Sequence, residues 1–244
     1  MTLSYDVIGD GPAVVLLHAG VCDRRMWASF DAPGFTQIRP DLRGFGETPM
    51  PTAEWNNAED VIAVVDSLGI DQFSLVGSSM GGRVALEIAA RWPDRVTSLA
   101  LLCAGLRGFP STPDADEFDE QEEALLEARD IDGAVELNVR TWLGPLATDE
   151  TRDLVATMQR HALEVQIDAD EVAPRHEAFE ISAISARTLA VSGDHDFEVF
   201  SNIADHVAEQ VPGTHRVQLD WAGHLPSLES PERLNPLVVD FLRG

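Results

Sequence analysis

Lysine is absent: all 17 basic residues of the 244 are arginine, set against 42 Asp and Glu, for a net charge of −25. So acidic a surface repels phosphate backbones and anionic lipid headgroups, which argues against nucleic-acid binding and electrostatic membrane docking. Cysteine is scarce too. The two present, Cys22 and Cys103, cannot staple a disulfide scaffold, and free thiols lead us to expect a cytoplasmic protein. No apolar run approaches the roughly 18 residues of a membrane-spanning helix. The N-terminus lacks a basic region, and its first apolar run, residues 13–17, is too short for a signal segment. What remains reads as a soluble globular chain of one-domain length, able to bury a substantial core.

Within that chain, short runs rich in Val, Leu and Ile alternate with helical patterns. Residues 13–18 (AVVLLH), 72–77 (QFSLVG), 96–103 (VTSLALLC), 188–193 (TLAVSG) and 215–219 (HRVQL) read as strands. Residues 3–8 and 35–40 are further strand candidates, the first followed by a turn at Gly9-Asp10-Gly11. Between them, residues 57–68 carry apolar side chains at helical spacing, with Asn57 as the expected cap, Glu59 and Asp60 at the positive end, and Gly69 at the exit. Residues 84–92 form a second helix that stops at Pro93. Phe200, Ile203, Ala204, Val207 and Val211 mark a third. A last helix opens at Ser230-Pro231, with a kink expected at Pro236. Strands alternating with helices of this length predict an α/β fold with a largely parallel sheet covered on both faces.

One stretch interrupts the alternation. Residues 107–187 contain no convincing strand and read as helices over 120–128, 133–143, 149–163 and 171–184, with 114–123 as a mobile acidic loop. This segment carries −13 of the net −25. The expected organisation is a core of residues 1–106 and 188–244, with 107–187 inserted as a helical cap.

The sharpest local signal is Gly77-Ser78-Ser79-Met80-Gly81-Gly82, lying between a strand and a helix. Gly-x-Ser-x-Gly in that context is a nucleophile elbow: the tight turn pushes the central serine, Ser79, out at a helix N-terminus where developing negative charge is favoured. Ser78 is out of register, because its neighbours two residues away are Val76 and Met80. A serine hydroxyl needs a base, and the base needs an orienting carboxylate. Asp194, His195 and Asp196 end one strand, and Trp221-Ala222-Gly223-His224 follows the next. The order is thus serine, acid 117 residues on, and histidine 28 beyond that.

Together with residues 14–20 (VVLLHAG), 41–46 (DLRGFG) and 223–232 (GHLPSLESPE), these motifs resemble the α/β-hydrolase superfamily over essentially the whole chain. The resemblance implies an α/β-hydrolase fold with Ser79 as nucleophile, His224 as base and Asp196 as acid, Asp194 being the alternative. It also implies an oxyanion hole from the backbone N–H groups of Gly20 and Met80. Ala19 stands where the family prefers glycine, so its own N–H is a rival second donor. His18 resembles the structural histidine of the oxyanion strand; His161, His176, His195, His206 and His215 read as surface or packing residues. Ala19, Met26, Trp27, Trp142 and Leu225 are the candidate pocket residues. Arg43 is expected to pin its loop with Asp41 as partner. No grouping has metal-ligand spacing, and neither metal nor cofactor is expected.

The implied activity is hydrolysis of a small carboxylic ester or lactone through an acyl-enzyme, by a monomer or small homo-oligomer. Ser79 argues against haloalkane dehalogenases and epoxide hydrolases, whose nucleophile is Asp, and the absent lysine argues against hydroxynitrile lyases. Enol-lactonases, C–C bond hydrolases, perhydrolases and acyltransferases share the serine triad and stay open. So does a small-molecule receptor with little turnover. A dicarboxylate-derived substrate would need arginines facing the pocket, with Arg24, Arg25, Arg140 and Arg175 as candidates. The acidic cap leads instead to the expectation of neutral or cationic substrates.

Overall fold

Val14 and Leu16 of the strand Ala13–Leu17 (β2) pack into one apolar cluster, with Trp27, Leu234 and Val238. Val15 and Leu17 pack into the opposite one, with Ile38, Val61 and Leu86. Alternate side chains therefore serve two faces, which is why this strand reads as an unbroken apolar run. The computed structural model describes residues 2–169 and 172–244. Its other strands are Tyr5–Ile8 (β1), Thr36–Pro40 (β3), Phe73–Ser78 (β4), Val96–Leu102 (β5), Arg187–Gly193 (β6) and His215–Leu219 (β7). They form one sheet in the order β1-β3-β2-β4-β5-β6-β7. Only β1 is antiparallel to its neighbour, β3; the other pairs are parallel.

Helices Asn57–Ser67 (α1), Met80–Arg91 (α2) and Glu198–Gln210 (α6) contribute buried residues to one face. The C-terminal helix Pro231–Arg243 (α8) covers the other and runs through Pro236. The cap of α1 is Asn56, one residue earlier than expected; its side chain accepts from the Glu59 N–H at 2.9 Å. Asn57 is the first helical residue. The strand order reverses at β2, whose neighbours are β3 and β4, and open α/β sheets bind ligands at the carboxyl ends of strands beside such a switch point.

Between β5 and β6 lie three helices, Pro113–Glu127 (α3), Ile131–Trp142 (α4) and Asp149–Gln166 (α5), and no strand among the described residues. The acidic stretch expected as a loop at 114–123 is helix. Pro113 starts it without a lost hydrogen bond, and Phe118 is the buried anchor of an otherwise wet surface. The helix expected over 171–184 is absent in its described part, which is irregular up to a single 3-10 turn, Ile181–Ala183. Pro174 lacks the N–H a helix interior needs; Glu171 lies outside the described residues.

Candidate active site

Ser79 links β4 to α2 with φ 51° and ψ −112°, a conformation that costs a serine about 1–3 kcal/mol. The surrounding packing enforces it. A Cβ on Gly77 would lie 2.5 Å from the Gly81 carbonyl oxygen, one on Gly82 2.5 Å from Ala104 Cβ, and one on Gly81 would strike the Leu17 carbonyl. The glycines let strand and helix close on each other, and the sharp turn presents Ser79 at the helix N-terminus. Ser78 is fully buried, its hydroxyl without a partner among the described residues.

His224 follows β7 and Asp196 follows β6. Their side chains meet with Nδ1 2.7 Å from Asp196 Oδ2, both nearly shut off from solvent. With the carboxylate accepting at Nδ1, the other ring nitrogen, Nε2, is left to accept a proton. The second Asp196 oxygen, Oδ1, accepts from the Phe197 N–H at 2.8 Å. Asp194 is exposed and engaged by Gln218, and His195 is exposed as well. The imidazole lies between two aromatic rings, Phe200 at 4.1 Å and Trp142 at 4.5 Å between centroids. Behind it stands a residue that sequence reasoning missed. Glu229, on the short helix Pro226–Glu229 (α7), accepts the Gly223 N–H at 2.9 Å and the Leu225 N–H at 3.1 Å, clamping both neighbours of His224. Burial pushes its carboxyl up, against the pull of those amides. The signal was a buried-looking Glu five residues after the histidine in an otherwise apolar stretch.

Gly20, after β2, borders the same space as Met80. The Ala19 N–H faces the Met26 sulfur at 3.3 Å. His18 ties this loop to the next: its Nδ1 lies 2.8 Å from the Ala19 carbonyl oxygen, and its Nε2 accepts from the Leu42 N–H at 2.9 Å. Burial pulls its pKa down and keeps it neutral.

Above Ser79 lies a cavity of about 440 Å³ lined by Gly20, Met80 and His224 below and by Phe118, Glu122, Asn138, Trp142 and Gln159 of α3–α5 above. Trp142 is thus both a wall and a packing residue. Its indole N–H donates to Asn138 Oδ1 at 2.7 Å, and Asn138 in turn donates to Glu122 at 2.5 Å. Burial raises the Glu122 carboxyl. Four expected pocket residues are not on this wall. Ala19, Met26, Trp27 and Leu225 are buried in the apolar cluster behind it, because their side chains face the sheet rather than the cavity.

The arginines differ from expectation as well. Arg24 is held by Asp6, Asp41 and Glu47, Arg25 by Asp23, and Arg175 by Glu59 and Glu177. Arg140 is exposed, and none of the four lines the cavity. Arg43 pairs with Asp60 rather than Asp41, whose carboxylate takes the Arg24 and Glu47 amides. The cavity arginine is Arg83, one helical turn after Ser79.

Among the described residues, one grouping is compact enough to share an ion: Cys103, Asp196 and His224. It suits a metal poorly. Asp196 and His224 spend their facing atoms on each other, and burial, reinforced by Asp196, pushes the Cys103 thiol well up and away from the thiolate a metal binds.

The family model for the alpha/beta hydrolase fold matches residues 12–166. The carboxylesterase YbfK of Bacillus subtilis (strain 168) is 27% identical over 253 residues, spanning 96% of this chain and 81% of its own length. The 2-hydroxy-6-oxo-6-phenylhexa-2,4-dienoate hydrolase of Burkholderia cepacia is 29% identical over 270 residues, spanning 96% and 88%. The solved enol-lactonase from Burkholderia xenovorans LB400 aligns with a TM-score of 0.78 at 23% identity over 99% of this chain and 96% of that one, a likeness of fold. A glycine-lined elbow at the switch point of a mostly parallel sheet, and a family match over most of the chain, lead to one conclusion: this protein belongs to the α/β-hydrolase fold family.

Proposed function

We propose that the protein is a serine hydrolase that cleaves a small carboxylic ester or lactone, with residues 107–187 acting as a cap over the catalytic cavity. The observation that carries this reading is the buried His224–Asp196 pair, 2.7 Å apart, in the same site as a conformationally strained serine at a helix N-terminus. The relatives that include a carboxylesterase and a C–C bond hydrolase support hydrolysis more broadly.

In the first step Ser79 Oγ attacks the carbonyl carbon as His224 Nε2 takes its proton. Asp196 accepts from Nδ1–H and holds the imidazole in the tautomer that leaves Nε2 facing the cavity. The carbonyl oxygen becomes negative and is met by the backbone N–H groups of Gly20 and Met80, where losing one donor typically costs about 10²–10³ in rate. The tetrahedral intermediate collapses, His224 returns the proton to the leaving alcohol, and Ser79 is acylated. Water then repeats the sequence to free the acid. A lactone leaves its alcohol tethered to the acyl group.

The test is turnover of a 4-nitrophenyl ester series of rising acyl length by the wild type and Ser79→Ala. Wild-type turnover that disappears in the variant supports the reading, and equal slow hydrolysis by both sinks it.

A further inference from the structure

Arg83 lies in the first turn of α2, four residues beyond Ser79, and both residues border the catalytic cavity. Its guanidinium is half-buried, and among the described residues no hydrogen bond or ion pair engages it. Glu87, whose charge acts on Arg83, is hydrogen-bonded by Arg91 at 2.6 Å and Asn56 at 2.8 Å. A second hollow beside Arg83 is lined by Arg107, Arg175 and His176 and by the acidic Glu87 and Glu177. Burial and then Arg107 pull the Arg83 pKa down, and burial, Arg107 and Arg83 lower that of His176, with Glu87 opposing in both cases. In a protein with net charge −25, Arg83, Arg107, Arg175 and His176 gather here, and no described carboxylate forms an ion pair with Arg83. Half-burying an unpaired charge is costly, and a bound anion would offset that cost.

We propose that Arg83 is a binding residue for an anionic substrate: it receives a carboxylate on the acyl portion while the scissile carbonyl lies at Ser79. This rests on the proposed serine-hydrolase reading and narrows it to esters or lactones derived from dicarboxylic or oxo-carboxylic acids. Ser79 and Arg83 line one cavity, which gives the two polar ends of a short dicarboxylate separate partners. The guanidinium offers a planar fork of donors that fits a carboxylate with two parallel hydrogen bonds. Two acidic residues of α3, Asp119 and Glu122, reach the same cavity; burial raises both carboxyls, and Glu122 accepts a hydrogen bond from Asn138. Most carboxylates of residues 107–187 are exposed, whereas Arg83 lines the cavity that holds Ser79.

The experiment compares 4-nitrophenyl hydrogen glutarate with its neutral methyl ester in wild type, Arg83→Gln and Arg83→Lys. The readout is the ratio of kcat/KM for the acid over that for the ester. Binding of free glutarate is measured separately by calorimetry on Ser79→Ala and on the Ser79→Ala/Arg83→Gln double variant. Charged hydrogen bonds are worth roughly tenfold to a hundredfold in affinity. The ratio is expected to fall by at least tenfold in Arg83→Gln, through KM, and to recover in part in Arg83→Lys. Glutarate is expected to bind Ser79→Ala and to lose at least tenfold in affinity in the double variant. An unchanged ratio together with Arg83-independent glutarate binding overturns the proposal while leaving the serine-hydrolase reading intact. If no ester is turned over but glutarate binds through Arg83, the hydrolase reading fails and the anion subsite stands. An internal carboxylate holding the guanidinium would show as a lower Tm in Arg83→Gln with glutarate inert, which also overturns it.

Discussion

The indole of Trp142, at the end of α4, lies against the imidazole of His224, their ring centroids 4.5 Å apart and their planes at 42°. The helices inserted between β5 and β6 thus touch the proposed base directly. The indole is in turn fixed by its N–H bond to Asn138 and by edge contacts with Phe118 and Phe197. An aromatic pair of this kind contributes about 0.5–1.5 kcal/mol beyond its buried area. Trp142→Ala should lower kcat/KM for a neutral ester by about tenfold, and Trp142→Phe should restore part of it. Steady-state kinetics beside a melting curve separate this from unfolding; full activity in Trp142→Ala would mean that the ring does not position His224.

The strained backbone of Ser79 makes a prediction about stability. Relieving about 1–3 kcal/mol of strain should make Ser79→Gly more stable than Ser79→Ala, although both are inactive. Glycine ordinarily destabilises by raising the entropy of the unfolded chain, so the opposite order is diagnostic. Urea unfolding of the pair measures it. Gly81→Ala, whose Cβ would meet the Leu17 carbonyl, should lose both activity and stability.

Glu229 predicts a pH dependence. Burial raises its folded pKa, so the folded state keeps this proton to higher pH than the unfolded chain does. Between the ordinary carboxylate value of about 4.3 and the raised one, stability falls as pH rises. Glu229→Gln should flatten the Tm–pH curve in that window. It should also reduce kcat, because one amide oxygen cannot hold the Gly223 and Leu225 N–H groups as two carboxylate oxygens do. A parallel pH curve in the variant would contradict the assignment.

His18 acts in the opposite sense. Its folded pKa lies below the ordinary value of about 6.5. As pH falls through that value the unfolded chain takes up a proton that the folded one refuses, so stability declines toward acid. Protonation also ends the acceptor role of Nε2 toward the Leu42 N–H. His18→Gln should weaken this acid-side decline while lowering stability at neutral pH, as melting between pH 5 and 8 would reveal.

Much of the fold is legible because its signals are local. The two-residue alternation in AVVLL, the strand–glycine–serine–glycine–helix run and the Pro113 helix start each depend on near neighbours, and β7 spans the same residues, 215–219, that the apolar pattern marks. The stretch at 114–123 was misleading because its acidity resembles that of a disordered tract, although a single buried Phe118 suffices to anchor the helix. Met26, Trp27 and Leu225 lay close in sequence to the site and still turned away from it, since adjacency along a chain does not determine which side of a wall a side chain takes.

By itself the sequence determined a parallel sheet, the elbow serine, the Gly-His loop and the absence of lysine. Tertiary structure decided which of two nearby carboxylates meets His224, that Glu229 clamps its loop, and that Arg83 rather than any of four other arginines borders the cavity. The physical reason lies in range. Backbone conformation follows from sterics and hydrogen bonding within a few residues, whereas the pairing of chemically identical side chains depends on where distant strand ends converge.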